Sequence, residues 1–279
     1  MMKGHQTTTT LVGVVFLLGA GCSGELDLGK GAEADARLTA DVFTWPCRSG
    51  EDDVEQGVYG FTIALEYAPD GLSSRELPPA GSCQGDLSMF PLDAGVSGTA
   101  IPEAGSEIAW ATSTRSGALA EVSPGFYYED VLGNQFTCIS PADMVSSGIS
   151  IPTAGSLGSI ASPSAGELVS VSSGEDSEEG LVFGEEVTVE WEASDWEESW
   201  IQVRMEREGT SWGSVTCNTT GEDEFDIDGR VWNELNADLN VDTINLYVGF
   251  QNNTQISNDD ELKLQASSRV IHVDVIQDR

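Results

Sequence analysis

Histidine is nearly absent from this chain and basic residues are few. Two histidines and 12 lysines and arginines stand against 47 aspartates and glutamates in 279 residues. The formal net charge of −35 sets up a field that repels nucleic acid and anionic lipid headgroups, which excludes a DNA or RNA partner. No apolar run reaches the roughly 20 residues that a membrane-spanning helix needs. Cysteine and histidine nowhere converge at zinc-ligand spacing, and no G-x-x-x-x-G-K-[ST] phosphate loop occurs. No metal site and no cofactor is therefore expected, and the sequence shows no internal repeat.

What is present begins with the stretch Leu11 to Cys22, LVGVVFLLGAGC. Lys3 precedes this apolar run, which ends in small residues and then Cys22. That is the order of a secretory signal: a positive n-region, an apolar h-region and a small-residue exit. The segment Leu18-Gly19-Ala20-Gly21-Cys22 resembles the lipobox of bacterial lipoproteins, in which a small residue precedes a cysteine that is lipidated and becomes the mature N-terminus. Gly19 stands where that family usually carries leucine. The resemblance spans residues 1–22 alone. It implies lipidation of Cys22, a membrane partner through that lipid and, with Ser23 rather than aspartate after the cysteine, an outer-membrane address. Cleavage by ordinary signal peptidase after Gly21 is the rival reading.

Setting Cys22 aside, Cys47, Cys83, Cys138 and Cys217 form an even set, which in an exported protein reads as a pair of disulfides. Cys47 with Cys83 is the expected first bridge, closing a loop worth about 3 to 4 kcal/mol in the chain-entropy treatment. Cys138 with Cys217 follows by elimination.

The rest of the chain reads as all-β, with two sandwich-like domains. After a signal peptide at 1–21, residues 22–38 are rich in Gly, Ala, Asp and Glu without apolar periodicity, and are expected to form a flexible acidic tether. An N-terminal β domain is expected at 39–145. Its clearest strand runs from Val58 to Tyr67, where Tyr59, Phe61, Ile63, Leu65 and Tyr67 alternate with smaller or polar residues as in a half-buried strand. Shorter strands are expected at Leu87 to Phe90, Glu107 to Thr112, Ala118 to Ser123, Phe126 to Leu132 and Gln135 to Ile139. A Ser-, Gly- and Pro-rich linker follows at 146–166. The C-terminal domain, 167–279, carries long alternating strands around Val187, Ile201, Ile244 and Ile271 and shorter ones at Leu181, Ser214 and Phe225. About seven strands in roughly 110 residues is the size of an immunoglobulin-like sandwich, and the pattern resembles the accessory Ig-like domains of bacterial surface proteins. Val231 to Leu239 has some helical character.

Four groups of residues hint at chemistry. His272 and Asp274 stand two apart, the outline of a base and its orienter, but without a nucleophile in a recognisable setting His272 reads as an exposed strand residue. Gly81-Ser82-Cys83-Gln84-Gly85 has the outline of a nucleophile elbow, yet lacks the strand-turn-helix context that motif requires. Glu224 to Gly229 alternates acids before a glycine, but has Glu224 and Leu235 where a calcium loop needs aspartate and a bidentate glutamate. It reads as a strand entering a turn, and the acidic surface as a solvated face, with divalent-cation binding as the sharper alternative. Carboxylate pairs of glycosidase type cannot be singled out among 47 acids.

Tryptophan is the more informative residue. Trp191, Trp196, Trp200, Trp212 and Trp232 place five of the 7 tryptophans in the C-terminal part. Trp191 shares a face with Val187 and Val189 and reads as packing. Trp196 and Trp200 flank an acidic connection between strands whose inward faces are already filled, so both are expected to be partly exposed and to touch a ligand. The resulting expectation is an exported, lipid-anchored, acidic cell-envelope protein acting as a non-catalytic binding or structural module. A glycan or cell-envelope protein is the candidate partner, and a carbohydrate-binding module using exposed tryptophans is the alternative. A secreted hydrolase is the weaker alternative.

Overall fold

The first strand, β1 (Ala34–Arg48), starts inside the stretch expected to be a tether. Ala36, Leu38, Ala40 and Val42 lie on one buried face, and Arg37, Thr39 and Asp41 lie on the other, also buried. Its alanines and aspartates are of types depleted in strands and weaken the local signal, so pairing with two neighbours does much to hold the element. It runs antiparallel to β2 (Val54–Leu72) and parallel to the last strand, β16 (Lys263–Gln277), from Ala36 opposite Leu264 to Thr44 opposite His272. These relations are seen in a computed structural model that describes residues 34–48, 54–72, 75–87, 89–90, 101, 104–132, 148–152, 154–173, 181–182, 186–207, 210–235, 243–257 and 262–277.

Between these strands come β3 (Cys83–Gly85), β4 (Glu107–Ala111), β5 (Ser116–Ser123), β6 (Phe126–Asp130), β7 (Ser150–Ile151) and β8 (Ile160–Ala161). They are followed by β9 (Glu167–Ser173), β10 (Leu181–Val182), β11 (Val187–Ser194), β12 (Glu198–Arg207), β13 (Thr210–Asn218), β14 (Glu224–Ile227) and β15 (Thr243–Ser257). A short helix, α1 (Gly229–Glu234), is capped by Asp228, whose side chain accepts from the Arg230 amide at 2.8 Å. No helix among the described residues is long and apolar enough to cross a membrane.

The all-β class is as expected. A 13-stranded sheet runs β3-β13-β12-β15-β16-β1-β2-β6-β5-β4-β7-β8, with β10 beside β16, and a 3-stranded sheet runs β14-β11-β9. The small sheet packs Val189, Trp191 and Ile227 onto Ile201, Val203, Leu246 and Val248 of the large one, in the manner of a sandwich. A second apolar cluster joins Leu38, Phe61 and Leu65 to Ile108, Trp110, Leu119 and Leu264.

Three expected boundaries are corrected. Residues 33–279 form one compact unit, and the large sheet runs unbroken across the break expected at 146–166. That stretch is no free linker, because its isolated apolar residues Ile149, Ile151, Ala154, Leu157 and Ile160 are all buried in the core built on β1 and β2. The tether loses 34–38 to β1. Of the shorter strands, Leu87 to Phe90 is not one: Leu87 and Phe90 pack over the sheet from a non-strand segment. Gln135 to Ile139 lies outside the described residues.

Segment 75–90 explains why the sheet is buried on both sides. Met89 and Phe90 form an apolar cluster with Trp200, Ile271 and Val273, flanked by Phe43, Tyr59 and Tyr247. On the same face Arg269 grips Asp41 through two 2.6 Å hydrogen bonds and donates a third, from Nη1, to the Met89 carbonyl at 2.6 Å. Glu66 is held by Arg75 at 2.7 Å and Arg37 at 3.3 Å. Burial pulls the Arg75 guanidinium down to about 10, against the opposing effect of Glu66. The Arg204 and Arg269 guanidinium carbons each lie 5.7 Å from the centre of the Phe90 ring.

A disulfide fixes this segment. Cys83 is bonded to Cys217, its register partner across β3 and β13, so the expected Cys47 to Cys83 bridge is corrected. Loop entropy favours the partner nearer in sequence, but sheet order decides, because β3 lands on the β13 edge. Cys47 lies on β1, and Cys138 lies outside the described residues.

Candidate functional site

The cleft with the most features for binding lies where the connection from β11 to β12 faces the turn from β13 to β14. Asp195 takes a positive φ of 59°, which reverses the chain after β11 and sets Trp196 between the two sheets. Gly221, at φ 89°, makes the opposing turn, where the left-handed backbone suits glycine. The cavity between them is about 360 Å³ and is lined by Trp191, Trp196 and Phe250 together with Ser199, Thr220 and acidic side chains.

Phe250 of β15 is the centre of this wall. Its ring centre lies 6.1 Å from that of Trp191 at an interplanar angle of 65°, and 6.0 Å from that of Trp196 at 44°. Trp196 also lies against Gly166, where a Cβ would sit 2.8 Å from its Cε2. The indole is thereby clamped, yet stays only half-buried. The two glutamates after it are anchored to β15. Glu197 accepts from the Asn253 amide at 2.8 Å, and Glu198 accepts from Gln251 Nε2 at 2.5 Å and Asn253 Nδ2 at 2.6 Å.

A second cavity of about 350 Å³ is lined by Ser170, Ser172, Glu190, Glu192 and Glu224, and touches Trp191 and Asp223, which also line the first. The Trp191 amide donates to the Asp223 carbonyl at 3.0 Å, fixing β11 against the β13 to β14 turn. Among the described residues no group of three or more His, Cys, Asp and Glu side chains is disposed to hold a metal ion.

Of the two expected ligand-binding residues, Trp196 is at the cleft and Trp200 is not. Trp200 lies within β12 at 0 % exposure; it faces away from Ile201 and Val203, into the cluster under Phe90. The expectation of an exposed Trp200 fails because the sheet's second face is covered. Trp191 packs as expected, Trp232 is buried, and Trp212 on β13 is 62 % exposed. Phe250, Asp223 and the serines of β9 were not legible as site residues, since the walls come from four separated segments and no local motif links them.

The remaining candidates resolve locally. His272 is buried at 3 % exposure rather than exposed, and burial holds its imidazole down to about 4, with Asp274 pulling the other way. Cys83 spends its thiol in the disulfide, which removes the nucleophile from Gly81 to Gly85. Glu224 to Ile227 is the strand β14, with Asp228 capping α1.

The sequence matches no protein-family model and no curated protein. Solved structures similar to it include the yeast delta-COP-I mu-homology domain, at 8% identity and a TM-score of 0.22, covering 88% of this chain and 99% of that one. The same domain complexed with the Dsl1 WxWxV peptide gives 9% identity and a TM-score of 0.25, over 88% and 99%.

Proposed function

We propose that this is an exported, lipid-anchored protein of the bacterial cell envelope, addressed to the outer membrane, that works as a non-catalytic binding module. Cys22 carries the lipid in this reading, on the strength of the apolar run that ends at it and of the even cysteine set left without it. Binding takes place in the cleft beside Trp196. The observation that carries this is the clamped, half-buried indole: Phe250 and Gly166 fix its plane, and its open side faces a cavity with hydroxyls and carboxylates at hand. A rigid aromatic surface with hydrogen-bonding neighbours suits a recognition site.

Mass spectrometry of the mature protein tests the anchor, with a lipid on an N-terminal Cys22 expected. Tryptophan fluorescence against a panel of glycans and envelope proteins, repeated with Trp196→Ala, tests the site. Binding unchanged in that variant returns Trp196 to a packing role.

A further inference from the structure

The layer buried between the large sheet and residues 75–90 carries an excess of positive charge, in a chain whose net charge is −35. Arg37 is the register partner of Glu66 and Asp41 that of Arg269, so the four side chains share one face of the sheet. Arg75 enters the layer from the covering segment. All five side chains are enclosed, at 2 to 9 % exposure, and three guanidiniums therefore face two carboxylates. Arg204, beside Phe90, has its own partner in Glu206 at 3.1 Å. Asp130, one strand further on opposite Thr62, is exposed, and water screens its charge.

The excess falls on Arg75. Its Nη2 donates to Glu66 Oε1 at 2.7 Å, while Nε and Nη1 are enclosed without a hydrogen-bond partner. Glu66 gives its other oxygen to Arg37, and both oxygens of Asp41 accept from Arg269, so the layer holds no further carboxylate for those donors. Burial lowers the guanidinium to about 10, which still leaves it charged at neutral pH. An enclosed charge with idle donors is costly unless an ion or a water meets it. A water satisfies the donors and leaves the charge; an anion answers both. We infer that Arg75 holds a small inorganic anion, chloride in kind, at its Nε or Nη1, and that this ion helps to pin residues 75–90 on the sheet. A monoatomic ion fits because the donors sit inside a packed layer, and Arg75 lines neither cavity of the Trp196 cleft. The site is independent of any ligand bound beside Trp196.

The test uses the full chain in sodium chloride and in sodium gluconate at equal ionic strength, so that screening of the acidic surface is the same in both. An ion that binds the folded state alone stabilises it by mass action. With chloride several-fold above its dissociation constant, the thermal midpoint is expected to lie about 2 to 4 °C higher than in gluconate. The chloride NMR signal should broaden saturably as protein is added. Arg75→Met removes the excess charge and leaves Arg37 with Glu66 and Arg269 with Asp41. The variant is expected to fold, and to lose both the chloride-specific shift and the broadening. Arg75→Lys keeps the charge without the fork of donors, and should need a higher chloride concentration for the same shift. Equal midpoints of the native chain in the two salts, with no broadening, overturn the inference whatever the variants do. A chloride shift that persists undiminished in Arg75→Met also overturns it, and moves the effect to ions at the surface.

Discussion

The indole of Trp200 lies flat on the backbone of Gly249. The two residues are register partners on β12 and β15, and a Cβ placed on Gly249 would meet Trp200 Cε2 at 2.1 Å and Cζ2 at 2.2 Å. The glycine is what lets a large side chain lie down in the middle of a sheet that is covered by Phe90, whose ring centre is 6.3 Å away. Gly249→Ala is therefore expected to cost about 3 kcal/mol, at the upper end of overpacking penalties because both ring and backbone are enclosed. Urea unfolding measures the loss, and the near-ultraviolet circular dichroism of the displaced indole should change with it.

The same pair shows where a reading of the sequence runs out. Alternation located most strands, because β2, β11, β12, β15 and β16 each carry an apolar stripe at period two. It then assigned the other stripe to solvent. In the middle of the large sheet that stripe holds Arg37, Asp41, Glu66, Gln202, Thr216 and Arg269, all buried. Their polarity hid a second interior, whose cover comes from residues 75–90 and is fixed by a bridge between positions 134 residues apart. Such long-range closure leaves no local trace. Of the candidate site, Trp196 was legible from its place between two filled strands. Its clamp was not, because Gly166 lay in an expected linker and Phe250 looked like ordinary core.

The disulfide should matter for stability more than its short strand suggests. Closing a loop of this length removes on the order of 4 to 5 kcal/mol of unfolded-state entropy in the chain-entropy treatment. Cys83→Ser is expected to lose a large part of that and to loosen residues 75–90. Non-reducing peptide mapping should show Cys83 linked to Cys217, which leaves Cys47 and Cys138 to each other. A fragment joining Cys47 to Cys83 would sink this pairing.

Asp41 and Arg269 tie the first strand to the last, and both are buried. Replacing Asp41 with asparagine strands a guanidinium inside the protein, so Asp41→Asn is expected to cost about 3 to 5 kcal/mol. The double replacement Asp41→Leu with Arg269→Met removes both charges and should recover most of that loss. If the double variant is as unstable as the single one, removing the orphaned charge restores nothing, and the fold depends on Arg269 itself, including its bond to the Met89 carbonyl. Denaturant midpoints of the three proteins separate these outcomes.

His272 gives the fold a specific acid weakness. Its imidazole, enclosed between β1 and β15, is held down to about 4 by burial, against an ordinary value of 6.5, and the nearby Asp274 opposes the shift without cancelling it. A depressed histidine pKa means that the unfolded chain binds the proton more readily than the folded one. Stability from this group is therefore complete above pH 6.5, falls as pH drops below it and levels off near pH 4. The full span corresponds to roughly 3 kcal/mol, with about 2 kcal/mol lost by pH 5. Carboxylates titrate in the same range, so the informative measurement is a difference: unfolding free energies at pH 7 and pH 5 for the native chain and for His272→Gln. The native chain should lose about 2 kcal/mol more than the variant between those two values. Parallel losses in both proteins would move the acid sensitivity from His272 to the carboxylates.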